Sequence, residues 1–301
     1  MYIKPKFKIT INGKEEKKLF VKNINLNDYE SGEIDNIALT LTLDSVLPDF
    51  GDKIEIFMGR EDYYFFGSFY VNAIKENYKR DYHIEAISIN YKRGMKQKKF
   101  RSFENKSLED VLKIIARENG LKTRIDFKNS KDIKVIEQEE SDVSLCNKLA
   151  KFYGCTFKIK NDTLIFIDID KEYKRKEYNI NADDAISLSL EILGHKKFNS
   201  VEVHFTDNLN NTHIIKVGEE EPTHKAVKNF QSKTEALQYA QSYLKKNKEN
   251  KVNGELKIVG GVFFAGAFLN LNLRNKTQQY LIKEVRHRLD AKTWESTIIF
   301  E

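Results

Sequence analysis

Between Ser107 and Asp168 a pattern of amphipathic helix, glycine stop and strand occurs twice, so an all-β fold is excluded for this chain. Ser107 can cap a helix, its hydroxyl accepting an orphan N–H of the first turn. Asp110 stands where a capping box prefers Glu or Gln. Leu108, Val111, Leu112, Ile115 and Ala116 then form one apolar stripe at helical spacing. Asn119-Gly120 is a helix stop, because glycine accepts the left-handed conformation. Leu121, Thr123, Ile125 and Phe127 alternate onto one face of a following strand.

The same order returns 34 residues on, with Ser141, Leu145, Leu149, Ala150, Gly154 and Ile159 at the places of Ser107, Val111, Ile115, Ala116, Gly120 and Ile125. The second copy ends in a hairpin, Thr156 to Lys160 and Thr163 to Asp168, around Asn161-Asp162. A period near 34 occurs in helical repeats, but only two copies are present and each closes with a strand. The spacing therefore predicts a small two-helix α+β module with both stripes packed on one short sheet. Two unrelated amphipathic helices are the plainer alternative.

A length of 301 residues suits about two domains. No run of 18 apolar residues is present, so no membrane span is expected, and the first residues lack a hydrophobic signal core. Cys146 and Cys155, the two cysteines, read as reduced core thiols of a cytosolic protein. The net charge is +6, but acidic and basic residues are interspersed, which describes a solvated surface more than a nucleic-acid footprint.

Residues 1 to 103 read as an antiparallel β domain. Phe7 to Ile11 leads into Asn12-Gly13, a strong hairpin signal, with Leu19 to Val21 as the expected return. Asp35 to Asp44 places Ile37, Leu39, Leu41 and Leu43 on one face. Lys53 to Met58, Tyr63 to Tyr78 and Tyr82 to Tyr91 are further strands, and six or more at short spacing suggest a barrel or sandwich. The stretch 92–101 carries Lys92, Arg93, Lys96, Lys98, Lys99 and Arg101. It is read as a solvated linker, with a nucleic-acid or acidic-partner contact as the alternative. Beyond the module come a charged connector, Lys171 to Lys176, and a hairpin of Val201 to Phe205 with His213 to Val217. Ser232 to Glu235 forms a capping box, followed by a helix buried on Ala236, Tyr239, Ala240, Tyr243 and Leu244. Glu255 to Val259, Ala267 to Leu273, Gln279 to Leu289 and Thr293 to Phe300 are expected strands.

Little in the chain points to chemistry. Gly-rich phosphate loops, G-x-S-x-G and H-E-x-x-H are all absent from the sequence. His195, His204 and His213 recur every nine residues, a spacing that does not gather ligands on one strand. Asp168 and Asp170 would share a strand face, as a carboxylate pair does, but beside Lys171 they read as surface ion-pair partners. His287, between Arg286 and Arg288, reads as a strand-wall histidine. No catalytic, cofactor or metal residue is assigned, and no cofactor is expected.

The order of parts resembles the phage late control gene D protein family, the tail hub of contractile phage tails and related particles. The matching pieces are Phe50 to Gly59, Phe66-Gly67, the hairpin Tyr70 to Tyr91, Ser107 to Leu121, Glu140 to Gly154, and Tyr280 to His287. The chain departs from the pattern at the apolar loop Gly260 to Gly266. The resemblance implies an α+β, mostly β fold with two antiparallel tail-tube-like β barrels, 1–103 and 171–301 (the second with one helix), flanking the module 104–170. It implies a structural, non-enzymatic hub: a homotrimer joining the tail tube protein to the central spike protein and touching other baseplate proteins. Such a hub would assemble in the bacterial host cytoplasm and end in the baseplate of a virion tail or phage-tail-like particle. No residues remain for a fused lysozyme or spike domain. A particle-associated cell-wall hydrolase and a nucleic-acid binder using 92–101 are the competing functions.

Overall fold

The computed structural model describes residues 3–127, 133–168, 175–193, 198–206, 211–227, 230, 233–246 and 251–301. The first part of the chain forms β1 (Lys6–Ile11), β2 (Lys14–Glu15), β3 (Val21–Tyr29), β4 (Asn36–Leu41), β5 (Lys53–Gly59), β6 (Tyr63–Asn77) and β7 (Asp81–Ile87). Then come β8 (Arg101–Lys106), α1 (Leu108–Glu118), β9 (Lys122–Asp126), β10 (Ile133–Gln138), α2 (Asp142–Tyr153), β11 (Cys155–Lys160) and β12 (Thr163–Asp168). The last part holds β13 (Glu177–Asn181), β14 (Ser187–Leu193), β15 (Ser200–Thr206), β16 (Thr212–Val217) and β17 (Thr223–Val227). It ends with α3 (Lys233–Lys246), β18 (Lys251–Val259), β19 (Phe268–Leu273), β20 (Lys276–Asp290) and β21 (Trp294–Phe300). The chain is mostly β, and among the described residues the α-helices lie in the middle module and at α3.

Both helices of the module form as the residues dictate. The Ser107 hydroxyl accepts the Asp110 N–H at 3.1 Å and the Asp110 carboxylate accepts the Ser107 N–H at 3.3 Å, so Asp completes the capping box. The five stripe residues of α1 are buried, and Gly120 lies at φ +60 beyond it. Ser141 caps α2, and Gly154 ends it at φ +67. β9, β12 and β11 form a three-stranded sheet with β12 in the centre, parallel to β9 and antiparallel to β11. Both stripes share a core with Phe157, Ile159, Leu164 and Phe166 of that sheet. Thr123 is exposed, because the outer strand β9 is only partly covered. A ladder of β8 with β10, not anticipated from the sequence, closes the module beside Phe103 and Ile136.

The remaining strands, apart from the small sheet β16-β15-β17, lie in one 13-stranded sheet. Its order is β14-β18-β21-β20-β3-β4-β7-β6-β5-β1-β2, with β19 on β20 and β13 on β19. Among the described residues no ladder closes either β segment into a barrel. Three expectations are corrected in detail. The hairpin at Asn12-Gly13 returns through β2, whereas Val21 starts β3, which pairs with β4 instead. Leu43 is exposed because β4 has already ended at Leu41. β7 stops at Ile87, and the Asn90 side chain caps a short 3-10 turn over Tyr91–Arg93. β15 and β16 pair as the hairpin, and α3 buries Ala236, Ala240 and Leu244 against them, with Tyr239 and Tyr243 at the edge of that core. The Ser232 cap lies outside the described residues, as does most of the connector 171–176.

The apolar loop Gly260 to Gly266 finds its cause in packing. Val262 and Phe264 join the core of the first β segment, while Phe263 and Ala265 join that of the last. Alternate side chains thus point into two cores, and the loop bolts one segment to the other. An exposed loop would be polar; this one is apolar because both of its sides are covered.

Candidate functional site

The predicted chemical residues do not converge. His204 contacts Glu202 on its own strand, and His213 stacks on Phe205 with ring centroids 5.1 Å apart. His195 lies outside the described residues. Among the described residues no group of three His, Cys, Asp or Glu side chains could hold a metal ion. Asp168 ends β12 opposite Cys155, and Asp170 lies outside the described residues. Cys146 and Cys155 are buried free thiols, and burial raises the Cys146 thiol far above its ordinary value.

The basic stretch 92–101 is largely consumed internally. Lys92 donates to the Phe50 carbonyl at 2.6 Å, and Arg93 donates to the Asn119 and Gly120 carbonyls at 3.1 and 3.0 Å. Lys99 and Arg101 both grip Glu118 and the buried Asp142, at 2.6 and 3.0 Å from the latter. Burial pushes the Asp142 carboxyl up, but hydrogen bonds from Gln138, Lys99 and Asn119 outweigh it, so the group lies below its ordinary value. The exposed remainder includes Phe100, 71% accessible, with Lys98 4.6 Å from its ring. One exposed aromatic thus accompanies the basic stretch.

His287 is buried in the wall of β20. Its Nδ1 lies 2.8 Å from the Ser296 hydroxyl, and its Nε2 lies 3.1 Å from the Phe263 carbonyl. A carbonyl only accepts, so Nε2 carries the proton and Nδ1 accepts from Ser296. Burial holds this histidine near pH 4, below its ordinary 6.5. Falling pH therefore charges the unfolded chain first, and the stability given by the neutral ring is complete above about pH 6.5 and lost toward pH 4. The shift corresponds to ~3 kcal/mol. The stability difference between wild type and His287→Asn should shrink by about that much between pH 7 and pH 4, measured by urea unfolding. A difference constant with pH would sink the assignment. Subtraction removes the carboxylates common to both proteins, including Asp35, whose raised value acts in the opposite sense.

The most concentrated polar chemistry lies where the three parts of the chain meet. β11 turns Cys155, Phe157 and Ile159 into the module core and Thr156, Lys158 and Lys160 toward the large sheet. Lys158 sits between Asp28 and Asp35, the latter at 3.1 Å, and Lys160 reaches Asp28 at 2.7 Å. Asp28 also accepts the Ala265 N–H of the apolar loop at 2.8 Å. Glu30 accepts from Thr156 and from Lys283 of β20, the latter at 2.9 Å. Burial alone would raise Asp28, but Lys158 and Lys160 hold it well below the carboxylate range. Burial dominates at Asp35, with Asp28 adding to it, and raises that carboxyl despite Lys158. Burial would lower the Lys158 ammonium, but Asp28 and Asp35 raise it instead. Nearby, the Asn161-Asp162 turn docks on the first segment. Asn161 accepts the Ser68 N–H at 3.1 Å, and Asp162 accepts from Tyr70 and pairs with Lys53 at 2.8 Å. Lys158 also borders a small pocket with Ile34, Ser88, Ile89, Asn147 and Phe157. The arrangement ties the module to the large sheet through ion pairs and hydrogen bonds.

No family model matches the sequence, and no curated protein matches it. Solved structures do. The 43 kDa tail protein of prophage MuSo2 from Shewanella oneidensis is 12% identical, with a TM-score of 0.73 over 99% of this chain and 98% of that one. A tail protein from Neisseria meningitidis MC58 is 11% identical, with a TM-score of 0.74 over 99% and 96%. An E. coli component of the type VI secretion system, itself structurally similar to T4 bacteriophage tail proteins, is 11% identical, with a TM-score of 0.64 over 97% and 76%. The fold is that of these phage tail proteins. The tail hub resemblance of the sequence points to the same fold. Among the described residues no helix is long and apolar enough to cross a membrane.

Proposed function

We propose that the chain is a structural hub of a contractile phage tail or phage-tail-like particle, joining the tail tube to the central spike as a ring of three copies. Segments 1–103 and 171–301 would each complete a tube-like β barrel in that ring, with 104–170 as the outer module. The hub is not an enzyme on this reading, and it ends in the baseplate after assembly in the bacterial cytoplasm. The observation that carries the reading is likeness to tail proteins over nearly the whole length of both partners. Such length-wide agreement is what a common architecture requires and what a shared small motif does not produce. The internally satisfied charges of 92–101 leave little of that stretch for nucleic acid. A ring built from head-to-tail contacts needs two different complementary faces on each chain, and two related β segments supply them. The test is an image of the purified particle with this chain located in it. Three copies between tube and spike are expected; six copies, or a position away from the tube axis, overturn the proposal.

A further inference from the structure

Five strands of the first β segment recur in the last, in the same chain order and the same sheet order. They lie as β3-β4-β7-β6-β5 and as β14-β18-β21-β20-β19. β6 and β20 are both 15 residues long, and each carries a bulge, at Asn72 and at Lys283. Before the bulge the agreement reaches single hydrogen bonds. Gly51 N–H donates to Val71 at 2.8 Å and Val71 N–H donates to Asp52 at 3.0 Å, as Gly266 donates to Ile282 at 2.8 Å and Ile282 to Ala267 at 3.0 Å. Gly51 and Gly266 share φ +82. The register carries across the sheet. Val71 faces Ala86, which faces Ile37, which faces Leu26. Ile282 faces Phe300, which faces Gly254, which faces Leu190. Leu190 is therefore the counterpart of Leu26.

The two copies meet once within the chain, where β3 pairs antiparallel with the part of β20 beyond its bulge. The equivalent junction would join β14 to the part of β6 beyond Asn72. It is not made within the chain. β14 ends the sheet, β5 pairs with β6 only up to Tyr70, and among the described residues no strand pairs with that edge of β6 further on. β14 is a bare edge whose core-side residues are uncovered, Leu190 at 37% and Ile192 at 71% accessible, where their counterparts Leu26 and Asp28 in β3 are buried. An open apolar edge of this kind calls for a strand.

We propose that β14 of one copy adds antiparallel to the free edge of β6 in a second copy, in the register that β3 and β20 make inside the chain. Val285 faces Asp28, Arg286 faces Asn27, His287 faces Leu26 and Arg288 faces Asn25. Carried over, Ile74 faces Ile192, Lys75 faces Glu191, Glu76 faces Leu190 and Asn77 faces Ser189. Two apolar side chains meet on the core side and two opposite charges meet on the outer side, both favourable cross-strand pairs. Glu76 opposite Leu190 gains nothing, but the inner junction likewise places a polar side chain, His287, opposite Leu26. The contact is heterologous, so repetition closes a ring or extends a filament. It supplies the joint that the hub reading needs and rests on that reading only for the number of copies.

The test uses full-length single variants Lys75→Cys and Glu191→Cys, whose parent side chains are exposed and whose folding should be untouched. Facing residues of antiparallel strands are ~4.5–5.5 Å apart at Cα, within disulfide reach. Mixed at high concentration and mildly oxidised, the two should give a covalent dimer seen on a non-reducing gel. Lys75→Cys with Ser187→Cys, displaced four residues along the strand by ~13 Å, should give none. Lys75→Glu should reduce coupling of a second pair, Asn77→Cys with Ser189→Cys, and Glu191→Lys added to the other chain should restore it. No dimer at the highest soluble concentration, or equal yield from the displaced pair, overturns the proposal. Cross-linking without incorporation into a tail keeps the pairing and overturns the hub reading; incorporation without cross-linking does the reverse.

Discussion

Ile115→Asp should yield insoluble or protease-sensitive protein. Ile115 is fully buried in the shared core of the module, among residues of both helices and both hairpin strands. A carboxylate placed there finds no partner; it must either ionise in an apolar medium or take up a proton, at a cost of several kcal/mol. That is a large part of the ~5–15 kcal/mol by which domains are stable. Leu149→Asp, on the second stripe, should behave alike because both stripes line one core. Arg117→Gln, on the exposed side of α1, should change the unfolding free energy measured in urea by no more than ~0.5 kcal/mol. Soluble, protease-resistant Ile115→Asp protein would show that the two stripes do not form a common core.

Lys158→Met should destabilise the chain by ~3–5 kcal/mol, the range for removing one partner of a buried ion cluster. The substitution leaves Asp28 and Asp35, both nearly inaccessible, without the ammonium between them. Lys160 reaches Asp28 alone among the two, so it does not replace the lost charge at Asp35. Asp35→Asn should cost only ~1 kcal/mol or less, since its carboxyl is already driven toward the neutral form by burial. Asparagine also keeps an oxygen to accept the Tyr29 N–H, which Asp35 accepts at 2.9 Å. Urea unfolding of the two variants beside wild type separates the cases. Equal losses would mean that Asp35 is ionised in the fold and that the charge assignment is wrong.

Local chemistry was enough to specify the two helices and the hairpin of the module, but not its β8–β10 ladder. Caps, glycine stops and stripe spacing act within a few residues, so both helices, the hairpin and its Asn161-Asp162 turn could be read directly. The strand pattern of β4, β5, β6, β15, β16 and β18 to β21 was legible for the same reason: alternation is a local period. β3 was not, although its Ile24 and Leu26 alternate with Asn23, Asn25 and Asn27, because asparagine is a poor strand former in isolation. Only long-range pairing with β4 and β20 holds it, and it turns out to join the two β segments.

The lysines of β11 show the deeper limit. Alternation states that Thr156, Lys158 and Lys160 share a face, but nothing local says whether that face meets water or Asp28. Burial of an ion depends on partners 130 residues away in the chain, which exist only once the sheet has formed. The apolar loop Gly260 to Gly266 is the converse: its composition stood out in the sequence as a departure from the family pattern, and only the tertiary structure supplied the two cores that cover it. The strand-order repeat was invisible in the residues because equivalent positions, such as Asp28 and Ile192 or His287 and Glu76, share backbone pairing and not side-chain identity. Hydrogen-bond register is a property of folded backbone, and side chains only have to be compatible with it.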